Sequence, residues 1–434
     1  MADWARTTAF RLLCELERSN GYPNEVLGRI DTQENLSARD RNFIRELVYG
    51  ITERKQTLDY MIAQYSGRKL NKIDPRVITV LRMGLYQLHY MDRVPASAAV
   101  NESVNLAKQR INPRVAGFVN GVLRASGRNP VVWPQNTVET LCIRYSYPNW
   151  LINRWIGEFG ENFVKEMLES NDKKPTIYLR CNQLRTTPEE LLNRLSEEGV
   201  SAEIDNRFGL DCALRVTKMA PLETLPSYHE GLFYIQDIGA MLIGAVLNPK
   251  AGERVIDLCA APGGKTTHIA EMMRDTGEIL AFDVSEKKQL RIQENAKRLG
   301  IKIIDACIGD GAVTNPSLVE WADRVLVDAP CSGLGIIRRK SDIKYRRTQE
   351  DITTLSNLGF SLLENGARYC KKGGTLVYST CTVEREENEQ VIERFLKEND
   401  NWQLSDYNGC GYRTLYPHLD DTDGFFICKL KKRS

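Results

Sequence analysis

The sequence predicts a multidomain protein with an all-helical head, a small α/β middle part and a C-terminal α/β domain on a doubly wound parallel sheet. Three observations predict it. Apolar residues between Trp4 and Ser126 recur at steps of three and four, the spacing of one buried helix face. Short strand-like runs bounded by turn residues begin at Thr176. From Gln236 on, short apolar strands alternate with amphipathic helical stretches, the pattern of strands joined by crossover helices.

In the head, Phe10, Leu13 and Leu16, then Phe43, Leu47 and Ile51, then Leu81, Leu85 and Leu88 mark successive helix faces. Pro23, Pro75, Pro95 and Pro113 punctuate them, because proline starts or ends a helix far more easily than it sits inside one. Gly127, Pro130 and Pro134 mark a linker over 127–140, so the head is expected over 1–140. The middle part, expected over 141–235, has a short helix around Trp150 to Phe159 and a strand "TIYLRCN" from Thr176. A helix capped at Thr187 with Pro188 at its first position follows, then strands "AEID" and "ALRVT". The C-terminal domain is expected over 236–434.

Composition excludes several classes. With 434 residues, 42% hydrophobic and 27% charged, the chain is neither collagenous nor low-complexity nor wholly disordered. The start Met1-Ala2-Asp3-Trp4 lacks a basic segment before an apolar core, and the longest apolar run, Ile238 to Leu247, is too short for a membrane span. The expectation is a soluble, cytoplasmic monomer. Eleven cysteines without a Cys-x-x-Cys spacing, and only four histidines, imply neither a disulfide framework nor a metal site. The net charge of +2 divides unevenly, +6 over residues 1–140 and −4 over the rest. A basic head permits an RNA partner.

"RVIDLCAAPGGKTTHIAEMM" from Arg254 reads as strand, tight small-residue loop and helix start. Gly263 and Gly264 allow close backbone approach to a ligand. A phosphate-cradling Walker loop would need glycine at Cys259, and a dinucleotide fingerprint is missing from Ala260-Ala261-Pro262-Gly263-Gly264. An S-adenosylmethionine loop running from Cys259 to Lys265 remains. The next strand ends at Asp283, where an acid can take the two hydroxyls of a ribose, and the following one at Asp310, placed to accept from an adenine amino group.

Two further strands each run into a cysteine, "DRVLVDAPCSGLG" at Cys331 and "GGTLVYSTCTVEREENE" at Cys381. Ligands of an open parallel sheet bind beyond the carboxyl ends of its strands, so both thiols should face the cofactor pocket. Cys14, Cys142, Cys181, Cys212, Cys307, Cys370, Cys410 and Cys428 read instead as inert core residues. A thiol pair suits cytosine methylation: carbon 5 is a poor nucleophile until a thiolate adds at carbon 6 and makes an enamine. An acid bonded to ring nitrogen 3 assists, and Asp328 could serve if burial raises its pKa. Chemistry alone leaves open which thiol attacks; the Pro-Cys thiol of Cys331 would match the DNA cytosine methyltransferases. Arg338, Arg339, Lys340, Lys344, Arg346 and Arg347 follow the Cys331 loop and read as a phosphate-binding rim.

Several stretches resemble known families. Leu36 to Tyr65, "VPASAAVNESVNLAKQ" from Val94 and "GFVNGVLR" from Gly117 resemble the antitermination factor NusB, which implies an RNA-binding helical bundle. "CAAPGGKT", "DAPCSG", "RRKSDIKY", "YSTCTVEREENE" and "DGFFICKLKK" resemble the bacterial 16S ribosomal RNA cytosine carbon-5 methyltransferases of the Sun/Fmu type. That resemblance implies a Rossmann-like, S-adenosylmethionine-dependent catalytic domain and a 16S ribosomal RNA substrate. It also implies Cys381 as nucleophile, Cys331 in release of the product and Asp328 in orienting and activating the base. A sibling enzyme acting on transfer RNA, and a noncatalytic RNA-binding assembly factor, stay open as alternatives.

Overall fold

The structure, a computed structural model, describes residues 4–19, 21–31 and 36–433. Residues 1–3, read above for a targeting signal, lie outside the described residues. Among the described residues no helix is long and apolar enough to cross a membrane. By packing, the chain forms two compact units: Met1–Asp172 with Lys340–Arg346, and Lys173–Arg339 with Arg347–Ser434.

The first unit is helical, as the periodicity predicts. Its longer helices span Trp4–Ser19, Ala38–Glu53, Lys55–Ser66, Pro75–Tyr90, Ala96–Arg110 and Ala116–Arg128. Pro75 is the first residue of its helix, behind Asp74, whose carboxylate accepts from the Arg76 N–H. That arrangement satisfies one orphan donor and wastes none, because proline has no N–H to satisfy. Phe10, Leu13, Leu47, Ile51, Leu81 and Leu85 are buried in one core, while Leu16, Phe43 and Leu88 pack at its margin. Gly50 lets two helices meet: a Cβ there would fall 2.0 Å from the Tyr86 ring.

The middle part divides. Its helices, Thr137–Tyr145, Asn149–Phe159 and Glu161–Asn171, belong to the first unit, and its strands to the second. The reason is local. Ser146 Oγ accepts from the Gln56 N–H and Thr57 Oγ1 donates to the Ile143 carbonyl, which seats the first of these helices on Lys55–Ser66.

In the second unit β1 (Ile177–Cys181), β2 (Ser201–Ile204), β3 (Ala213–Lys218) and β4 (Phe233–Ile235) form an antiparallel sheet ordered β2-β3-β1-β4. The helix Pro188–Glu197 starts at Thr187 through a reciprocal capping box with Glu190. The larger sheet contains β5 (Arg254–Asp257), β6 (Glu278–Asp283), β7 (Ile304–Ile308), β8 (Ala322–Asp328), β9 (Cys370–Thr380), β10 (Trp402–Leu404), β11 (Tyr412–Leu415) and β12 (Phe425–Lys432). Its order is β10-β12-β9-β8-β5-β6-β7, with β11 beside β12.

Strands β7, β6, β5, β8 and β9 are parallel, as expected, but β12 returns antiparallel to β9 and makes the sheet mixed. From β5 the chain moves one way to β6 and β7, then back across to β8. The carboxyl ends of β5 and β8 therefore flank the crevice at which open sheets bind ligands.

Candidate active site

The loop after β5 is set by its own hydrogen bonds. Thr266 Oγ1 donates to Asp257 Oδ2 at 2.8 Å and the Gly263 N–H to the Ala260 carbonyl at 2.7 Å. Gly263 has φ +97°, and a Cβ there would lie 3.2 Å from Ile292 Cα. Both facts require glycine. The Ala261 N–H donates to Asp283 Oδ2 at 3.2 Å, and the Ala260 N–H to the Phe282 carbonyl, which fastens the loop to the end of β6. Asp283 also pairs with Lys288 at 3.0 Å.

A cleft of about 370 Å³, counting the space at its mouth, opens beside this loop. Cys259, Asp283 and Asp310 line it together, although 51 residues separate the first from the last. Leu258, Val284, Pro330, Leu358 and Leu362 supply apolar walls. A nucleoside is a flat apolar base joined to a sugar diol, so two carboxylates set among apolar walls fit one. The sequence reading missed Val284, Leu358 and Leu362; the signal for Val284 was a large apolar side chain directly after the strand-end acid. Burial pushes the Cys259 thiol well up, so it lines the cleft as a neutral group.

The two cysteine loops meet. Cys331 Sγ and Cys381 Sγ lie 3.3 Å apart, and the Cys381 N–H points at Cys331 Sγ, also at 3.3 Å. The Gly335 N–H donates to the Cys381 carbonyl, and Gly335 takes the Gly424 N–H in turn. A Cβ on Gly335 would fall 2.2 Å from the Gly424 carbonyl oxygen. Contact with Cys381 and then burial push the Cys331 thiol well up. Of the cysteines expected to be inert, Cys142, Cys181, Cys212, Cys370 and Cys428 are buried; Cys14 and Cys307 are half-buried and Cys410 is exposed.

Asp328, at the end of β8, accepts from Lys265 Nζ at 2.6 Å and from Ser379 Oγ at 2.8 Å. Burial pushes the Lys265 ammonium down, but Asp328 outweighs it and the net shift is upward; Cys381 acts in the same direction. The sequence assigned Lys265 only to the cofactor loop. It is also the cation beside the thiols.

Arg180 was equally invisible in the sequence. Fully buried on β1, it grips Glu271 with two nitrogens at 2.9 and 2.8 Å and donates to the Gly264 carbonyl at 2.6 Å. It thereby fixes the helix Gly264–Met272 that begins in the cofactor loop. A bidentate, fully bonded geometry of this kind is what a buried ion pair needs to offset desolvation.

The basic run after Cys331 is only in part exposed. Lys344 is buried at 2% exposure, donates to the Tyr145 carbonyl at 3.2 Å and lies 4.3 Å over the Tyr147 ring. Arg338 and Arg339 pair with Asp423, and Arg339 also with Asp237 at 2.9 Å. Arg346 pairs with Asp342 and covers the Tyr22 ring. Arg347 donates to the Ser332 carbonyl at 2.9 Å. Lys340 is exposed. Charge counting cannot distinguish a solvated cation from one with an internal acceptor, and in Lys344, Arg338 and Arg347 the internal acceptor wins.

Comparison with known proteins identifies the family. Residues 244–431 match the model of the 16S rRNA methyltransferase RsmB/F family, residues 4–128 the NusB family, and 147–223 the ferredoxin-like domain of RsmF/B-like methyltransferases. A probable ribosomal RNA small subunit methyltransferase B of Bacillus subtilis is 36% identical, covering 99% of this chain and 98% of its own. The Synechocystis protein of the same description is 38% identical, covering 99% of each chain. A methyltransferase homologue from Pyrococcus horikoshii, solved by crystallography, is 31% identical with TM-score 0.61 over 69% of this chain and all of its own. The crystal structure of PH0851 superposes with TM-score 0.80 at 28% identity over the whole of both chains. With a NusB-like head, a ferredoxin-like domain and a C-terminal methyltransferase domain, the chain belongs to the RsmB/F family of S-adenosylmethionine-dependent 16S rRNA methyltransferases.

Proposed function

We propose that the chain methylates carbon 5 of a cytosine in 16S ribosomal RNA through a covalent adduct on Cys381. The observation that carries this reading is the pair of sulfurs 3.3 Å apart at the carboxyl ends of β8 and β9, beside the Lys265–Asp328 ion pair. A single activated thiol would serve many reactions. Two thiols on one substrate suit a cycle that makes a carbon–sulfur bond and must later break it.

Bound in the cleft of Asp283 and Asp310, against the Gly263 loop, S-adenosylmethionine supplies an electrophilic methyl group. The protein's own groups make cytosine nucleophilic. Cys381 adds as thiolate to carbon 6, and Lys265, whose charge reaches that sulfur, favours its ionised form. Asp328 accepts from the Lys265 ammonium at 2.6 Å, and in this reading the pair meets the base together: Asp328 takes the exocyclic amine and Lys265 is the proton source for ring nitrogen 3. After the carbon-5 proton has passed to solvent water, the carbon–sulfur bond breaks with its electron pair going to Cys381, and Cys331, kept protonated by its neighbour, donates its proton to that departing sulfur. A base stacked in folded RNA must be turned out to reach these groups.

Bisulfite sequencing of ribosomal and transfer RNA from cells lacking the protein tests the reading. One cytosine in small-subunit ribosomal RNA should lose protection, and purified protein should restore it on deficient subunits. Loss confined to transfer RNA would replace the substrate. Unchanged protection at every site would overturn carbon-5 chemistry.

A further inference from the structure

The acidic stretch after Cys381, "VEREENE", contains a carboxylate that the catalytic cycle does not consume. Glu387 is 1% exposed. Its Oε1 accepts from the Ser332 N–H at 2.7 Å, its Oε2 takes the Ser332 hydroxyl, and Thr382 bonds the same carboxylate. Ser332 Oγ and Thr382 Oγ1 are themselves 2.9 Å apart. Ser332 directly follows Cys331 and Thr382 directly follows Cys381. The adjacent Asn388 holds the other side of the second loop: its Oδ1 accepts from Thr380 Oγ1 at 2.6 Å and its Nδ2 donates to the Thr382 carbonyl at 3.1 Å, so it straddles Cys381. The Glu387 carbonyl is fixed in turn by the hydroxyl of buried Tyr378 at 2.8 Å.

We propose that Glu387 is a positioning residue: by bridging Ser332 and Thr382 it sets the separation of the two cysteine sulfurs and so governs release of the product. The proposal rests on Cys381 and Cys331 acting in sequence on one base. On the Cys331 side the bridge acts through both the Ser332 N–H and its hydroxyl, beside the Arg347 bond to the Ser332 carbonyl, whereas the Cys381 loop keeps Asn388 on both flanks and the strand pairing of β9 with β12. Loss of Glu387 should therefore loosen the Cys331 side more. Attack by Cys381 would survive and elimination would slow. Burial raises the carboxyl to about 7, which agrees with a group retained for its hydrogen bonds despite the cost of enclosing it.

The test uses the full chain, a small-subunit ribosomal RNA transcript and labelled S-adenosylmethionine. Glu387→Ala should lower turnover by about tenfold or more, since a misplaced group near the reacting atoms costs that much. It should also raise the share of protein linked to labelled RNA on a denaturing gel, with S-adenosylmethionine affinity by calorimetry unchanged. Glu387→Gln should restore most of both. Its carbonyl can accept from the Ser332 N–H while its amide donates to the Ser332 hydroxyl, which then donates to Thr382.

Wild-type turnover and wild-type adduct share in Glu387→Ala would overturn the proposal. So would a Glu387→Gln enzyme as slow as Glu387→Ala with cofactor affinity intact. If Glu387→Ala does not fold, Ser332→Ala decides: a raised adduct share supports the bridge and an unchanged share overturns it. A Cys381→Ala control separates the two readings, because an adduct that persists there sinks the cysteine assignment whatever Glu387 does.

Discussion

Cys331 Sγ and Cys381 Sγ approach to 3.3 Å, closer than two sulfurs that merely share a pocket, and the Cys381 N–H also points at Cys331. Two thiolates at that distance would repel, so the pair loses one proton far more readily than two. Contact with Cys381 is the leading cause of the raised Cys331 pKa, ahead of burial. Cys381→Ala removes that leading cause. Alkylation of Cys331 by iodoacetamide at mildly alkaline pH, followed by mass spectrometry, should therefore be slow in the wild type and faster in Cys381→Ala. Equal rates would show that burial alone sets the Cys331 pKa.

Gly263 is the least replaceable residue of the cofactor loop. At φ +97° with Ile292 Cα only 3.2 Å from where a Cβ would stand, a branched side chain meets both strain and a wall. Strain of this kind costs roughly 1–3 kcal/mol before any contact with a ligand is lost. Gly263→Val should abolish S-adenosylmethionine binding in calorimetry while circular dichroism stays that of the wild type. Unchanged affinity in a folded variant would remove the loop from the cofactor site.

Replacing Lys344 should change stability and leave RNA binding as it is. Burial lowers its pKa from the ordinary 10.5 to about 7, with Glu53 opposing the shift. Below about pH 7 the folded state encloses an ammonium; between about 7 and 10.5 the unfolded state holds a proton that the folded state lacks. Stability from this group therefore rises with pH across that window. Lys344→Met should stabilise the protein by roughly 1–4 kcal/mol near pH 6, less than the fall of the pKa from 10.5 to about 7 implies because the bond to the Tyr145 carbonyl is lost, with the advantage shrinking toward pH 10. The dependence of RNA affinity on salt should not change. A slope reduced by about one unit would return Lys344 to the phosphate contacts.

The helical head was legible because burial repeats with the helix. Leu47, Leu81 and Leu85 follow that period, and Pro75 marks a helix start by chemistry that needs no tertiary context. The placement of Asp283 and Asp310 was legible for a related reason: the carboxyl ends of parallel strands share one edge, so spacing along the chain becomes proximity at the sheet. Arg180 and Glu271 were not legible, being 91 residues apart on elements with no common period. Neither was the antiparallel return of β12, since an apolar run carries no direction. The burial of Lys344 and the pairing of Arg338 were not legible either, because a cation's sequence context does not reveal whether a carbonyl or an aspartate waits inside.

The two thiols act at opposite ends of one covalent cycle, so their losses should look different. Cys381→Ala has no sulfur to add to carbon 6, and both methyl transfer and covalent capture of RNA should disappear. Cys331→Ala keeps the nucleophile, the Lys265–Asp328 pair and the Gly263 loop. It should attack and methylate once. Without Cys331 to assist elimination, the methylated adduct should persist as a protein band carrying RNA and label on a denaturing gel, absent with Cys381→Ala. The opposite pattern would make Cys331 the nucleophile. That would require the Pro-Cys loop to supply the thiolate although its pKa is pushed well up and Lys265 acts on the other sulfur. Unimpaired turnover in both variants would mean that the 3.3 Å pairing serves packing alone.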